Sequence, residues 1–360
     1  MTMSQHIEFA HHAETALPGL DPSRLRAAML ANAREHGLDV VERGEDELAL
    51  LTVYGRCTLA TRAGSARVVL DSPRPDWLFV LKDSLTEQVA ALYAGGDAAL
   101  RWSDALPEGS PPPNFQFVEI RATQPLGPDF IRITVGVEDL SAFGEDAIHF
   151  RLALPVAGDA QPQWPHIGSS GATIWPKGDK ALHRPVYTVR RIDAARGDLA
   201  FDLFVHDGGR ATAWARSVGI GTRVGLTGPG GGGIPETRKI ALYADETGFP
   251  AVARILEALP ADATGTALLS ARDGAACEYP IPEHPGIDLR WRAGWTSTQL
   301  AECAIAEQPS QVHPFLWFAA EKTGATKLRN WCKSHGIEQR DRYVAAFWTQ
   351  DSRTEGKTPR

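Results

Sequence analysis

The sequence predicts three parts in order: a small α+β module, an antiparallel β-barrel and an α/β unit built on a mostly parallel sheet. The prolines of ALPEGSPPPN, residues 105–114, predict an extended linker, because proline fits neither a helix interior nor a central strand. Between 115 and 230, short apolar runs broken by Pro, Gly and Asp are typical of a small barrel or sandwich. From 238 to 348, strand-like runs alternate with helical ones, which favours a parallel sheet.

These features give the boundaries of the parts. We assign residues 1–105 to a small α+β domain, 115–235 to the barrel, 236–350 to the α/β domain and 351–360 to a tail. The first domain opens on DPSRLRAAMLANAREHG, which has a cap at Asp21, a proline in its first turn and a terminal glycine, and therefore predicts a helix. This domain contains no evident catalytic constellation.

The α/β part carries polar residues where its strands end. RKIALYAD predicts a strand and FPAVARILEAL a helix with apolar residues at helical spacing. HPFLWFAAE predicts a later strand, followed by the helix TKLRNWCKSHG. Open parallel sheets bind ligands beyond the carboxyl ends of their strands. Here those ends are Ala-Asp-Glu-Thr at 244–247 and Ala-Glu-Lys-Thr at 320–323.

Composition and charge narrow the class of protein. The chain is 43% hydrophobic and 22% charged, as globular proteins are, and its net charge of −7 argues against nucleic-acid binding. No stretch reaches the roughly 18 apolar residues of a membrane span, and MTMSQHIEFAHHAE lacks the apolar core of a signal peptide. The four cysteines form no C-x-x-C pair, which predicts a cytoplasmic protein without a zinc or iron–sulfur site.

One predicted barrel strand, RPVYTVRR at 184–191, has an unusual composition for a half-buried strand. Arg184 and Arg190 are suited to phosphate, Tyr187 offers a ring face and Thr188 a hydroxyl group. A flat, redox-active ring with a pyrophosphate tail would use all of these groups. The alternative interpretation is a hairpin with an exposed aromatic face.

A second stretch, VHDGGRATAWA at 205–215, follows one strand later. It places Gly208 and Gly209 before a helical start, where exposed backbone N–H groups and the Thr212 hydroxyl would bind a pyrophosphate. By contrast, GPGGGG at 228–233 matches a dinucleotide fingerprint only in its letters, because a strand rather than a helix follows it. We interpret it as a flexible crossover.

Six motifs occur along the chain in a fixed order: RPVYTVR, VHDGGRATAWA, LTGPG, YADETGFPA, WFAAE and AFW. With this order and spacing, the chain from about Phe115 to Trp348 resembles the siderophore-interacting proteins, which are FAD-containing ferric-siderophore reductases of the ferredoxin–NADP reductase superfamily. The first 105 residues resemble a small domain of unknown function found fused ahead of this family. That second likeness suggests no activity.

The resemblance implies a set of cofactor-binding residues. Arg184 would hold the FAD pyrophosphate, Tyr187 would stack near the isoalloxazine and Thr188 would meet its reactive edge, while Arg190 completes the same motif. Glu321 matches the acidic residue that ends a later strand. The second FAD stretch, and the turn after the first strand of the pyridine-nucleotide half, add further residues: His206, Gly209, Ala211, Thr212, Asp245, Glu246 and Thr247.

The implied reaction is electron transfer through FAD, with no catalytic side chain. NAD(P)H would reduce the FAD, and single electrons would pass to Fe(III) held by a siderophore, which releases iron as Fe(II) in the cytoplasm. Cationic residues that flank the flavin motifs are candidates for contact with the anionic ferric chelate: Lys177, Lys180, His183 and Arg210.

Departures from the family pattern leave the electron donor open. The chain has Gly209-Arg210 where the family usually has Gly-Pro, and Ala244 and Ala320 where it usually has glycine. It reads Ala-Phe-Trp-Thr at 346–349 instead of Gly-Tyr-Trp-Arg. An added methyl group matters where backbone approaches a phosphate closely, so a reduced ferredoxin is an alternative donor. A flavin- or siderophore-binding protein without efficient turnover, and a flavin reductase for another acceptor, are the alternative functions.

Overall fold

A computed structural model describes residues 9–350, except 37, 45, 63–64, 94–99, 105, 145–147, 207 and 309–312. The tail assigned from the sequence, 351–360, lies outside the described residues. The described chain separates into two compact units. The first contains the residues up to Gln116 with Ala153–His183 and Gly225–Gly230, and the second contains Phe117–Leu152, Arg184–Val224 and the residues from Gly231 onwards.

The first unit contains the predicted α+β module, an antiparallel five-stranded sheet with two helices. Its elements are β1 (His11–Ala16), α1 (Pro22–His36), β2 (Asp39–Arg43), β3 (Glu47–Thr52), β4 (Gly55–Arg62), β5 (Ser65–Ser72) and α2 (Pro75–Leu92). The sheet order is β1-β5-β4-β3-β2. Helix α1 begins as predicted, because the Asp21 carboxylate accepts hydrogen bonds from the Ser23 N–H and hydroxyl. Leu25 and Met29 of α1 are buried in the core of this module.

A lysine is buried in the same core. Lys82 of α2 is fully enclosed, and its ammonium group lies 5.7 Å from the centre of the Phe79 ring and 5.4 Å from that of Trp102. Its Nζ donates to Asp104 Oδ1 at 2.8 Å. A buried charge is tolerated when it is paired, so this contact fixes α2 to the chain that enters the proline-rich linker.

The barrel is a seven-stranded sheet, as the apolar runs between 115 and 230 predicted. Its strands are β6 (Phe115–Leu126), β7 (Phe130–Val137), β8 (His149–Ala153), β11 (Val186–Thr188), β12 (Arg191–Asp193), β13 (Asp198–Phe204) and β14 (Arg223–Gly230). Along the sheet their order is β11-β8-β14-β6-β7-β13-β12. The remaining elements of this region are a two-stranded pair, β9 (His166–Ile167) and β10 (Thr173–Ile174), and helix α3 (Arg210–Ser217).

The RPVYTVRR stretch closes the barrel. Strands β11 and β12 lie at opposite edges of the sheet order but are consecutive in the chain. Between them, the Val189 N–H donates to the Ile148 carbonyl at 2.8 Å, and the Arg190 N–H donates to the Ala200 carbonyl at 2.8 Å. The backbone therefore crosses from β8 to β13 within two residues, which holds the motif in a fixed conformation.

The α/β part is a parallel five-stranded sheet with order β17-β16-β15-β18-β19. Its elements are β15 (Lys239–Ala244), α4 (Phe249–Ala258), β16 (Thr264–Ala271), β17 (Ile287–Ala293), α5 (Ser297–Ala306), β18 (Phe315–Glu321), α6 (Lys322–Ser334) and β19 (Arg342–Trp348). The order reverses between β15 and β18, and such a switch point is where open α/β sheets bind ligands. None of the helices in the described ranges combines the length and apolar character needed to cross a membrane.

Inside the second unit, charged contacts join the barrel to helix α4. The Arg190 side chain is only 5% exposed and donates two hydrogen bonds to the Glu257 carboxylate, at 2.6 and 2.8 Å. One helical turn earlier, Arg254 donates to the carbonyls of Val189 and Gly144, each at 2.7 Å. Helix α4 is therefore bonded directly to the strand crossing that closes the barrel.

A buried carboxylate of the barrel, that of Asp202, forms a second set of charged contacts inside this unit. Asp202 of β13 has no exposed side-chain surface and accepts two hydrogen bonds from Arg132 of β7, at 2.7 and 2.8 Å. It also accepts the Tyr279 hydroxyl at 2.7 Å. Burial, and then the Asp202 charge, raise the pKa of Tyr279 well above its usual range, so the phenol remains a donor.

We predict that Asp202→Ala lowers the free energy of unfolding by about 3 kcal/mol, because it leaves a partly buried guanidinium and a buried hydroxyl without their acceptor. Chemical denaturation of the purified variants measures the loss. The control is Asp262→Ala, which removes an exposed ion pair with Arg238 and should cost less than about 1 kcal/mol. Equal losses in the two variants would contradict the assignment of Asp202 as a buried anchor.

Candidate functional site

Strand β11 presents the aromatic residue of the RPVYTVRR stretch. The Tyr187 ring is half-buried, with its centre 4.9 Å from the Phe201 ring of β13 and 6.3 Å from the Phe150 ring of β8. Burial raises the pKa of the Tyr187 phenol above its usual range, so the ring stays neutral. Arg184 lies just before the strand and is half-buried, and its carbonyl accepts a hydrogen bond from Arg151 at 3.5 Å.

Thr188 ends the strand beside a buried histidine. Its Oγ1 lies 3.2 Å from Nδ1 of His149, the first residue of β8. Burial, and next the positive charge of Arg254, lower the pKa of His149 from 6.5 to about 4, so the imidazole is neutral at physiological pH. His149 was not among the residues selected from the sequence, and its position at the start of a predicted strand, IHFRLALP, gave no sign of this contact.

Arg190 bonds to helix α4. Its two terminal nitrogens donate to Glu257, and within the described part of the chain its Nε has no hydrogen-bond partner. The sequence suggested Arg190 for phosphate, whereas the structure gives its guanidinium a carboxylate partner. Phosphate binding by Arg184 stays a prediction from the sequence.

The second motif forms the start of helix α3. Gly209 is the N-cap and makes no side-chain cap, and the first turn contains no acidic residue. A Cβ atom on Gly209 would lie 2.5 Å from Cε1 of His206, so a larger residue there would have to displace the exposed His206 ring. The His206 N–H donates to the buried Thr212 Oγ1 at 3.2 Å. Ala211 lies half-buried in the first turn, where backbone N–H groups have no acceptor within the helix.

Strand β13 connects the two motifs. Tyr187 packs on Phe201 of this strand, and the same strand continues at Phe204 into the turn that carries His206 and Gly209. Strand β13 thus packs against the Tyr187 ring and leads into the uncapped N-terminus of α3, and Thr188 and Arg184 lie beside Tyr187 in the chain. An adenine dinucleotide with a flat redox ring needs these groups, because its diphosphate is anionic and its ring is aromatic. The residues therefore fit FAD.

The acidic residues at the switch point build the turn itself. Asp245 is buried and accepts hydrogen bonds from the Thr247 N–H and hydroxyl, at 3.0 and 2.5 Å, the Glu321 N–H at 3.0 Å and the Trp348 indole N–H at 2.7 Å. Burial raises its pKa, and these donors oppose the rise. Glu246 accepts the Arg272 N–H at 2.8 Å, and burial raises its pKa as well. Asp245 therefore bonds the turn after β15 to β18 and β19, and Glu246 bonds the same turn to the residue that follows β16.

The two alanines that replace family glycines are enclosed by protein. Ala244 is fully buried, and its Cβ lies 2.9 Å from the point where a Cβ on Gly248 would sit. Ala320 is also fully buried, in a cluster that includes Leu328 and Cys332. Both methyl groups therefore fill interior space.

The cationic residues proposed for the ferric chelate divide between the two units. Lys177 is exposed in the first unit, whereas Lys180, in the same unit, donates to Asp159 at 2.7 Å and to the Gln161 carbonyl at 3.0 Å. His183 belongs to the first unit too and pairs through its backbone with Leu154. Arg210 is exposed at the start of α3, in the second unit. Lys177 and Arg210 are the most accessible of these four candidates.

Two family models match the chain in succession. Residues 119–233 match the siderophore-interacting FAD-binding domain, and residues 237–351 match the siderophore-interacting protein model. These matches confirm the family resemblance and the FAD cofactor that the sequence predicted. The antiparallel barrel and the parallel sheet confirm the predicted fold class of this part of the chain.

Named relatives and solved structures agree with these matches. The NADPH-dependent ferric-chelate reductase of Escherichia coli is 30% identical over 244 residues, which are 65% of this chain and 92% of that protein. The ferric vibriobactin reductase ViuB of Vibrio cholerae is 29% identical over 54% of this chain and 67% of its own. A siderophore utilization protein from T. fusca superposes with a TM-score of 0.56 at 28% identity, over 66% of this chain and 93% of the other.

The fold has a wider set of neighbours. The siderophore-interacting protein SipS from Aeromonas hydrophila shares the fold with a TM-score of 0.55 at 21% identity, covering 66% of this chain and 93% of that one. The barrel with its glycine-capped helix, the parallel sheet with its switch point and the two family matches all indicate the same assignment. The chain belongs to the siderophore-interacting protein family, and its residues 119–233 match the FAD-binding domain of that family.

Proposed function

We propose that this protein is an FAD-dependent ferric-siderophore reductase that takes its electrons from NAD(P)H. The observation that carries the proposal is the arrangement around β13, where the Tyr187 ring and the uncapped start of α3 flank one strand of the FAD-binding domain. The E. coli relative, which the chain matches over 92% of its length, is named for the corresponding activity on ferric chelates with NADPH.

The residues proposed to hold FAD contact different parts of the cofactor, according to their charge and polarity. Arg184 and the first-turn N–H groups of α3 bind the diphosphate, because both present positive charge to an anion. Tyr187 supplies a neutral aromatic surface, and Thr188 supplies a hydroxyl group for the reactive edge of the ring. Gly209 allows the His206 ring to lie over the start of the helix. Bound FAD accepts two electrons as a hydride and releases them singly.

NAD(P)H is the proposed electron donor, and the switch point between β15 and β18 is its proposed site. The family-atypical Ala244 and Ala320 do not argue against it, because both methyl groups are buried. Asp245, Glu246 and Thr247 would act there by shaping the turn rather than by touching the nucleotide, since their side chains are engaged with one another and with the neighbouring strands. A reduced ferredoxin is the second candidate donor.

The proposed substrate is an anionic ferric siderophore. Lys177 and Arg210 are exposed cations close in sequence to the flavin motifs, and each is by itself a candidate for contact with an anionic chelate. The four cysteines are free thiols, which fits a reducing compartment, and we propose the cytoplasm as the place where Fe(II) is released. A binding protein without efficient turnover is the alternative, favoured by the number of hydrogen bonds that already occupy Asp245 at the switch point.

We predict that the purified protein takes up one FAD per chain and shows the visible bands of an oxidised flavin. Anaerobic NADPH or NADH should bleach these bands if, as we propose, the switch point binds the nucleotide despite Ala244 and Ala320. Absorption spectroscopy follows both steps. If the bands bleach with a reduced ferredoxin but with neither nucleotide, ferredoxin would replace NAD(P)H as the proposed donor. Failure to bind added FAD would reject the proposal.

We predict different effects for Arg184 and Arg190. Arg184→Ala should weaken FAD binding about tenfold or more, the loss of a charge-assisted hydrogen bond. Arg190→Ala should instead lower stability, since it leaves Glu257 without its partner on the barrel. Equilibrium FAD titration and chemical denaturation of both variants separate the effects. Weaker FAD binding in Arg190→Ala alone would reverse the assignment.

A further inference from the structure

His149 and Thr188 form a cross-strand pair at the end of the flavin motif. They are direct partners in the antiparallel register of β8 and β11, so their side chains leave the sheet on the same face. The distance between Thr188 Oγ1 and His149 Nδ1 is 3.2 Å, and both residues are at least nine-tenths buried. The hydroxyl group of Thr188 therefore has a fixed protein partner.

Aromatic residues of β19 hold the His149 ring in place. The Tyr343 ring lies parallel to it, with ring centres 6.4 Å apart and an interplanar angle of 15°. The Phe347 ring meets it edge-on at 5.3 Å. On another side, a Cβ on Gly231 would come within 2.5 Å of His149 Cδ2, so the backbone approaches the imidazole directly. The ring is thus confined, and its Nδ1 remains directed at Thr188.

The protonation state of the His149 ring sets the direction of its hydrogen bond with Thr188. A neutral imidazole has one donor and one acceptor nitrogen, and a hydroxyl group has one proton and two lone pairs. The tautomer protonated at Nε2 is the intrinsically favoured neutral form, and in that form Nδ1 accepts the Thr188 proton. Thr188 then presents only oxygen lone pairs to any group placed against it.

We propose that His149 is a positioning residue that fixes the Thr188 hydroxyl as a hydrogen-bond acceptor towards the reactive edge of the flavin. The inference rests on the proposed function, since it assumes that FAD lies against Thr188. The edge nitrogen of a flavin gains a proton on reduction and becomes a donor. An acceptor held at Thr188 therefore favours the reduced cofactor, and His149 would raise the reduction potential without touching the flavin.

The test compares His149→Phe with His149→Asn in the full-length, FAD-loaded protein. Phenylalanine keeps a ring and removes the acceptor, whereas the Asn side-chain oxygen restores an acceptor near the position of Nδ1. We expect His149→Phe to bind FAD, to have a lower flavin reduction potential and to be reduced by NADPH about three- to tenfold more slowly, the worth of one neutral hydrogen bond. His149→Asn should recover most of both losses.

A double-mutant cycle with Thr188→Val decides whether His149 acts through Thr188. If it does, adding His149→Phe to Thr188→Val changes the potential no further. Unchanged potential in His149→Phe, or an equal shift with and without the Thr188 hydroxyl, would overturn the inference while leaving the proposed function intact. Absence of FAD binding in the wild-type protein would instead reject the proposed function, and this inference with it.

A measurement on the His149 ring itself adds a test that needs no substitution of His149. Nitrogen-15 NMR of the imidazole distinguishes an acceptor Nδ1 from a protonated one. We expect an unprotonated Nδ1 whose signal shifts in Thr188→Val and is retained in Thr188→Ser. A protonated Nδ1, or a signal insensitive to Thr188→Val, would contradict the proposed direction of the hydrogen bond.

Discussion

The ion pair between Arg190 and Glu257 is the contact on which the arrangement of the second unit depends. It lies where the barrel closes, at the crossing between β11 and β12, and it bonds that crossing to α4. Arg254 of the same helix bonds the carbonyl of Val189. The barrel strand that carries Tyr187 and Thr188 is thereby fixed to the helix that follows the first strand of the parallel sheet. A reductase with two cofactor-binding halves needs such a fixed spacing, because transfer between bound groups depends on their orientation.

This constraint explains the composition of RPVYTVRR. Its residues serve two sides of one short segment: Tyr187 and Thr188 lie on the proposed flavin side, while Val189 and Arg190 anchor the crossing to α4. The apolar–polar alternation of an ordinary strand is absent at this crossing, because the consecutive N–H groups of Val189 and Arg190 bond to different neighbours in the barrel. At the switch point, too, one residue serves several elements, because Asp245 accepts hydrogen bonds from the turn, from β18 and from β19.

The sequence was sufficient for features encoded locally. Helix α1 follows from its cap and its apolar spacing, and the parallel sheet follows from alternating strand and helix patterns. Contacts between distant residues were not predictable in this way. The Thr188–His149 pair joins positions 39 residues apart, and the Asp245–Trp348 hydrogen bond joins positions 103 apart. Arg190 was assigned to phosphate because its partner on α4 is 67 residues away, and nothing in its own strand indicates a carboxylate.

Anaerobic formation of Fe(II) decides whether the protein is a ferric-siderophore reductase. The FAD-loaded protein is mixed with NADPH and a ferric siderophore, and an Fe(II)-specific chelator reports the product while absorbance reports the nucleotide. We expect two Fe(II) for each NADPH oxidised, since a hydride carries two electrons, and no Fe(II) when FAD is removed. NADPH oxidation without Fe(II), or no turnover with any ferric chelate, NAD(P)H or ferredoxin, would contradict a ferric-siderophore reductase.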